Sequence, residues 1–230
     1  MAGSSDRELQ GLEAWLRDVL GECPSFKGAT YYEEYRAVLG DLTRFRNIVE
    51  LGVAEGASLL AWARLAPLAV CSGFDLDPPT KLEQTITDLG LADRVRVFRA
   101  DQSDPQAIAA RIGAAPDLIV DDASHLLNQT RTSLRHLFPL LVPGGWYCIE
   151  DWAAGYWERF GGAEQGVHRL LYEIIDEIAM EDRIKPEAEG ARISSRQTLP
   201  IRQMIVRGIE PIAYLQKATS DFGKGTVFEQ

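Results

Sequence analysis

Residues 119–151 limit the fold more than any other part of this 230-residue chain. The segment opens on Ile119-Val120-Asp121-Asp122-Ala123-Ser124-His125 and closes on Gly144-Gly145-Trp146-Tyr147-Cys148-Ile149-Glu150-Asp151. In each piece a short apolar run stops at acids. That is the pattern of a buried parallel strand delivering its last side chains into the crevice where α/β sheets take ligands. Between the two pieces, Leu134, Leu137, Phe138 and Leu141 keep helical spacing over residues 129–141, and Pro139 ends or kinks that helix. With this helix as the crossover, the strands are neighbours, and Asp122, Glu150 and Asp151 meet at one sheet edge beside His125. Three carboxylates and a histidine there suit a hard divalent metal ion. Taken singly, Asp122 or Glu150 reads equally well as an acid near a helix end.

Upstream, Asn47-Ile48-Val49-Glu50-Leu51-Gly52 and Val53-Ala54-Glu55-Gly56-Ala57-Ser58 read as strand, glycine turn and helix. Gly52 and Gly56 allow a tight turn and close approach to a ligand, and Ser58 is placed to cap the helix. Ala54 stands where the dinucleotide fingerprint has its second glycine, which argues against a pyrophosphate ligand. Glu50 at the strand end suits a positively charged ligand. A second strand, 68–75, ends on Asp75, the candidate for accepting hydrogen bonds from a ribose, with Asp77 as competitor. A helix over 79–89 leads to a third strand, 95–99, followed by Asp101 and Gln102. These two could bond an adenine amino group, or Asp101 could cap the helix after Pro105.

The remainder frames this unit. Residues 1–44 read as an N-terminal helical extension, and 45–230 as one α/β domain. In the extension, Leu9, Leu12, Leu16, Val19 and Leu20 form an apolar stripe behind Ser5 and Asp6, which could cap it. After a break around Pro24, a second helix carries Tyr31, Tyr32 and Tyr35, read chiefly as docking aromatics. Trp152, Tyr156, Trp157 and Phe160 suggest an acceptor wall or a helix start. A long helix then follows, with Val167, Leu170, Leu171, Ile174, Ile175 and Ile178 on one face and solvated Glu173, Asp176 and Glu177 on the other. His136 and His168 read as ordinary helix or surface residues. Residues 181–191 read as a loop around Pro186 and Gly190, 201–206 and 212–215 as a strand hairpin, and 221–230 as a tail. The expected architecture is a Rossmann-like doubly wound sheet, mostly parallel, with an antiparallel C-terminal hairpin.

A net charge of -10 with no basic block argues against a nucleic-acid binder, and 46% hydrophobic content supports a full core. No signal peptide and no bilayer-length apolar run are visible. Cys23, Cys71 and Cys148 lack metal spacing, and the last two lie in strands as buried apolar residues. A cytoplasmic enzyme of small molecules is the class expected.

Glu50-Leu51-Gly52-Val53-Ala54-Glu55-Gly56, Phe74-Asp75, Asp101-Gln102 and the Pro143-Gly144-Gly145 turn together resemble the class I S-adenosylmethionine-dependent methyltransferases. Asp121-Asp122-Ala123-Ser124-His125 and Ile149-Glu150-Asp151 resemble, more narrowly, the metal-dependent sugar O-methyltransferases of antibiotic biosynthesis, the macrocin and mycinamicin type, with cephalosporin hydroxylase-like relatives. The resemblance extends over roughly residues 45 to 155. It implies that Asp122, Glu150 and Asp151 ligate Mg²⁺ (Mn²⁺ accepts the same ligands) and that His125 is the general base. It further implies Gly52 and Ser58 against the methionine part of S-adenosylmethionine, Asp75 at the ribose, Asp101 and Gln102 at the adenine, and Asp121 on the cofactor side. The implied acceptor is a sugar or polyol hydroxyl of a secondary metabolite, and the implied assembly a homo-oligomer. Two alternatives differ in chemistry: a metal-independent O-methyltransferase with His125 alone as base, and a non-catalytic cofactor-binding partner of a hydroxylating or methoxylating enzyme.

Overall fold

A computed structural model describes residues 4–21, 27–180 and 199–219. Cys23, Pro24, the 181–191 loop and the 221–230 tail lie outside the described residues, as does any capping by the Ser5 and Asp6 side chains. In chain order the elements are α1 (Ser4–Leu20), α2 (Ala29–Leu39), β1 (Asn47–Leu51), α3 (Ala57–Leu65), β2 (Val70–Asp75), α4 (Thr80–Asp88) and β3 (Val95–Arg99). They continue with α5 (Pro105–Ala109), β4 (Leu118–Asp121), α6 (Leu127–Leu137), β5 (Trp146–Ile149), α7 (Gly162–Gln165), α8 (His168–Met180), β6 (Ile201–Val206) and β7 (Ala213–Lys217).

The strands form one sheet in the order β3-β2-β1-β4-β5-β7-β6. β1 to β5 run parallel and β7 pairs antiparallel with both β5 and β6, as the sequence predicts. The order reverses between β1 and β4, which makes the gap beyond their carboxyl ends the ligand crevice of a doubly wound sheet. Helix α6 is the expected crossover. It stops at Leu137, and Pro139 sits in the 3₁₀ turn Phe138–Leu140 that follows, where its missing N–H costs nothing.

Because strand side chains alternate faces, the sheet has two cores. One packs Ile48, Cys71, Val120 and Cys148 against Leu9, Leu12 and Leu16 of α1, Tyr32 and Tyr35 of α2, and Trp62 of α3. The N-terminal helices therefore share a core with the sheet. The other packs Val49, Leu51, Ile119, Tyr147 and Ile149 against Leu134 and Leu137 of α6 and Leu170 and Ile174 of α8. On α8 the structure departs from the expected pattern twice. Ile175 and Ile178 stay exposed. Glu173 is not merely solvated, since Arg131 of α6 grips both its oxygens, and Glu177 pairs with Arg135 one turn further on. His168, expected at the surface, is buried, stacked on Tyr156 at 3.8 Å.

Candidate active site

Three non-glycine residues among those described have positive φ: Ala54 (44°), His125 (53°) and Asp151 (50°). They follow β1, β4 and β5, so backbone strain is concentrated around one crevice, as at functional sites. Ala54 thus adopts the left-handed turn for which a glycine would be the ordinary choice. Gly52 (φ 84°) lets β1 pass β4: a Cβ there would stand 2.2 Å from the Asp122 carbonyl oxygen and 2.6 Å from Ala123 Cα.

Two cavities open beside this turn. The larger, about 290 Å³, is lined by Gly52, Phe74, Asp75, Leu76, Asp101, Gln102, Ala123 and Ser124 among others. The smaller, about 130 Å³, is lined by Lys27, Gly52, Ala54, Ser58, Asp75 and Asp122 among others. Gly52, Ser58, Asp75, Asp101 and Gln102 are therefore brought together. Asp75 also braces the turn, its Oδ2 accepting from Val53 N (2.8 Å) and Ala54 N (2.9 Å), whereas Asp77 lies outside and pairs with Arg99. Asp101 accepts from Ser103 N and Oγ, and Asp104, not Asp101, caps α5. Gly56 is the N-cap of α3, its φ of 93° and the nearby Leu82 side chain leaving no room for a Cβ. Ser58, the expected cap, lies inside the helix and is buried.

Asp121 and Asp122 part company because neighbouring strand positions face opposite ways. Asp121 points into the α6 face and lines neither cavity. Its carboxylate accepts from Tyr147 OH (2.6 Å), Ser133 Oγ (2.8 Å) and Gln102 Nε2 (2.6 Å), and Gln102 in turn accepts from Ser124 Oγ (2.6 Å). This network holds the strand end and the loop carrying His125. Burial raises the Asp121 carboxyl to about 6, against the hydrogen bonds from Tyr147 and Ser133. A carboxyl raised on folding gives its full stability below its unfolded value near 3.8 and loses it as pH rises through about 6. Tyr147 donates to the charged form. Tyr147→Phe should therefore cost about 1.5–3 kcal/mol at neutral pH and visibly less near pH 4.5, measured by urea unfolding at both. Equal losses at the two pH values would contradict this account of the network.

Glu50, Asp122 and Glu150 face the other way, toward the N-terminal helices. Lys27, just before α2, reaches among them: its Nζ lies 2.6 Å from Glu150 Oε2, 2.9 Å from Asp122 Oδ2 and 3.9 Å from Glu50 Oε1. Tyr35 OH donates to Glu150 Oε1 (2.6 Å) and Tyr31 OH to Asp151 Oδ1 (2.8 Å), so two of the docking tyrosines also hold acids. Burial raises Glu50 to about 7 and Glu150 still higher, with Lys27 opposing in both cases. Burial also works against charge on Lys27, but Asp122, Glu150 and Glu50 outweigh it and hold the ammonium protonated. The acids shift upward through burial, which one lysine does not offset, and Lys27 shifts upward because three acids surround it.

Asp122, His125 and Asp151 each offer a ligand atom, and these atoms lie within 4.8 Å of one another. His125 Nε2 is 3.9 Å from Asp122 Oδ1, beyond hydrogen-bond reach, and its ring meets Phe160 edge-on at 5.5 Å. Glu150, expected with Asp122 and Asp151 as a ligand, falls outside this compact group because Tyr35 and Lys27 hold it on the α2 side. The donor set of hard oxygens and an imidazole, with a cation already drawn to its edge, fits a divalent metal ion. Neither Lys27 nor the tyrosine bonds were found by sequence reading. Lys27 belongs to no motif.

Residues 49–152 match the family model for a methyltransferase domain. The whole fold matches the MycE methyltransferase of the mycinamycin biosynthetic pathway, solved in complex with Mg and SAH. The TM-score is 0.70 at 24% identity, over 96% of this chain and 56% of that one. Among curated proteins, the 8-demethyl-8-alpha-L-rhamnosyl tetracenomycin-C 2'-O-methyltransferase of Streptomyces olivaceus is 34% identical over 57% of this chain. Demethylmacrocin O-methyltransferase of Streptomyces fradiae is 36% identical over 50%, and mycinamicin VI 2''-O-methyltransferase of Micromonospora griseorubida 34% over 50%. The matched part spans about a third of each of these relatives, 35%, 30% and 29% of their lengths. No helix among the described residues is long and apolar enough to cross a membrane.

Proposed function

We propose that the protein is an S-adenosylmethionine-dependent, Mg²⁺-dependent O-methyltransferase acting on a sugar or polyol hydroxyl of a secondary metabolite. The observation that carries this reading is the convergence of Asp122, His125 and Asp151 beside the cavity that Gly52, Asp75 and Gln102 line. The relatives' names, all O-methyltransferases and one of them acting on a rhamnosyl tetracenomycin, support the acceptor class.

In this reading the turn of Gly52 and Ala54 and the side chain of Ser58 take the methionine part of the cofactor. Asp75 receives the ribose, and Asp101 and Gln102 flank the adenine. Glu50 supplies negative potential under the turn, suited to a cofactor bearing ammonium and sulfonium charges. A sugar hydroxyl is a weak nucleophile at neutral pH; Asp122, Asp151 and, once freed from Lys27, Glu150 would hold a metal ion, which would lower the pKa of a bound hydroxyl. His125 accepts the hydroxyl proton as the oxygen attacks the methyl carbon in line with the departing sulfur. Asp122, beside His125, would keep the acceptor oxygen and the base in register, and fixing that geometry contributes an entropic advantage. The second reading is transfer without metal, which the neutralisation of Asp122 and Glu150 by Lys27 favours.

Calorimetric titration tests both halves of the proposal. S-adenosylmethionine should bind with one site per chain, and Mg²⁺ should bind in its presence. Cofactor binding with no Mg²⁺ heat, with or without an acceptor analogue, would select the metal-free reading, and absence of cofactor binding would end the proposal.

A further inference from the structure

Lys27 is the one described residue whose charge occupies the acid cluster, and its contacts are unusual for a buried ammonium. Its approaches to Glu150 and Asp122 are close but lack hydrogen-bond geometry. Lys27 Nζ, Glu150 Oε2 and both Glu50 oxygens are buried without a hydrogen-bond partner among the described residues. The contacts are short but poorly aligned, so one buried ammonium serves the acids through charge more than through well-formed hydrogen bonds. One positive charge faces three carboxylates, two of them fully buried. A divalent ion would balance that charge better. The lysine reaches the cluster through a flexible four-carbon stem from the junction between α1 and α2, so it can leave by rotation of its own side chain.

We infer that Lys27 is a placeholder cation for the Glu50–Asp122–Glu150 cradle, and that a divalent metal ion entering at Asp122 and Glu150 displaces it. The inference rests on the metal-dependent reading above. It gives the lysine two effects. Without metal, it keeps buried acids from standing as uncompensated charges. During loading, it competes for Asp122 and Glu150, so metal affinity is set partly by Lys27, and Glu150 joins the ligands only once the ammonium has gone.

The test uses Mn²⁺ as probe, with free ion counted by electron paramagnetic resonance and neither cofactor nor acceptor present. The proteins are the parent chain, Lys27→Met and Lys27→Arg. Lys27→Met should bind Mn²⁺ about tenfold tighter or more, because a competing charge at this range is gone. Lys27→Arg should stay within a few-fold of the parent. Equal or weaker binding by Lys27→Met, or binding by Lys27→Arg as tight as by Lys27→Met, overturns the inference and leaves the metal reading standing. Failure of all three to bind Mn²⁺ overturns both. Because Lys27→Met leaves three acids without a cation and can fail to fold, the parent supplies a second readout. Acylation of Lys27 by an amine reagent, followed by peptide mass mapping, should rise several-fold when Mn²⁺ saturates the protein. Unchanged or reduced acylation at saturation overturns the displacement.

Discussion

Asp122→Ala is expected to slow methyl transfer about 10³-fold or more while S-adenosylmethionine affinity stays within a few-fold. Asp122 stands between the histidine and the lysine at the reaction end of the crevice. One carboxylate oxygen faces His125 Nε2 at 3.9 Å and the other meets Lys27 Nζ at 2.9 Å, while the group as a whole completes the compact set with Asp151. In the proposed mechanism, removing it takes away a metal ligand and the neighbour of the base, a loss of several kcal/mol in transition-state stabilisation, with each 1.36 kcal/mol a factor of ten. The larger cavity is lined by other residues, and the Asp122 backbone N–H, which bonds Leu51 O at 2.9 Å, is untouched by the substitution. Steady-state kinetics and calorimetry on the same preparation check both halves. A loss under tenfold would remove Asp122 from the chemistry, and a lost cofactor affinity would reassign it to the cofactor.

Gly52→Ala should be strongly destabilising, because it combines a backbone clash with a positive φ. The added Cβ meets backbone, not a flexible side chain: the Asp122 carbonyl oxygen at 2.2 Å and Ala123 Cα at 2.6 Å. Relief requires β1 and β4 to part at the point where the sheet order reverses. The positive φ adds about 1–2 kcal/mol and the forced displacement about 1–3 kcal/mol, for a destabilisation of roughly 3 kcal/mol or more. In a chain of this size that lowers Tm by about 10 °C. Gly40→Ala provides the control, because Gly40 also has positive φ (77°) but nothing within 4 Å of the added carbon, so only the strain remains. Thermal unfolding of the two variants separates clash from strain. Equal shifts would show that β1 and β4 yield at no cost. Cofactor affinity should fall with Gly52→Ala alone, since both cavities are lined by Gly52.

The fold was legible wherever an apolar run had sharp ends. The acid stops of β1, β2, β4 and β5, the crossover before Pro139 and the C-terminal hairpin all follow from local chemistry, and the sheet realises them. The site was legible as a collection of strand-end residues but not as two faces. Counting by twos along β4 separates Asp121, with Ile119, from Asp122, with Val120; counting along β5 sets Glu150 with Cys148. Register between strands then decides which acids meet, and register is a tertiary property. Lys27 was invisible for a similar reason. A lysine beside a glycine reads as a solvated loop residue until the distant Glu150 is shown 2.6 Å away. Ala54 takes the place of the fingerprint's second glycine, yet its backbone keeps a φ of 44°. The partners of Glu173 and Glu177 escape a helix-by-helix reading because both arginines sit on α6, 42 residues upstream.

Transfer of a labelled methyl group bears most directly on the central claim. The protein is incubated with methyl-labelled S-adenosylmethionine and glycosylated polyketide acceptors, first with Mg²⁺, then with excess chelator, then with Mg²⁺ restored. The account predicts label on a sugar oxygen of an acceptor, lost with the chelator and recovered with the metal. Label transfer that continues unchanged in chelator, or cofactor that binds and never gives up its methyl group to any such acceptor, would contradict it.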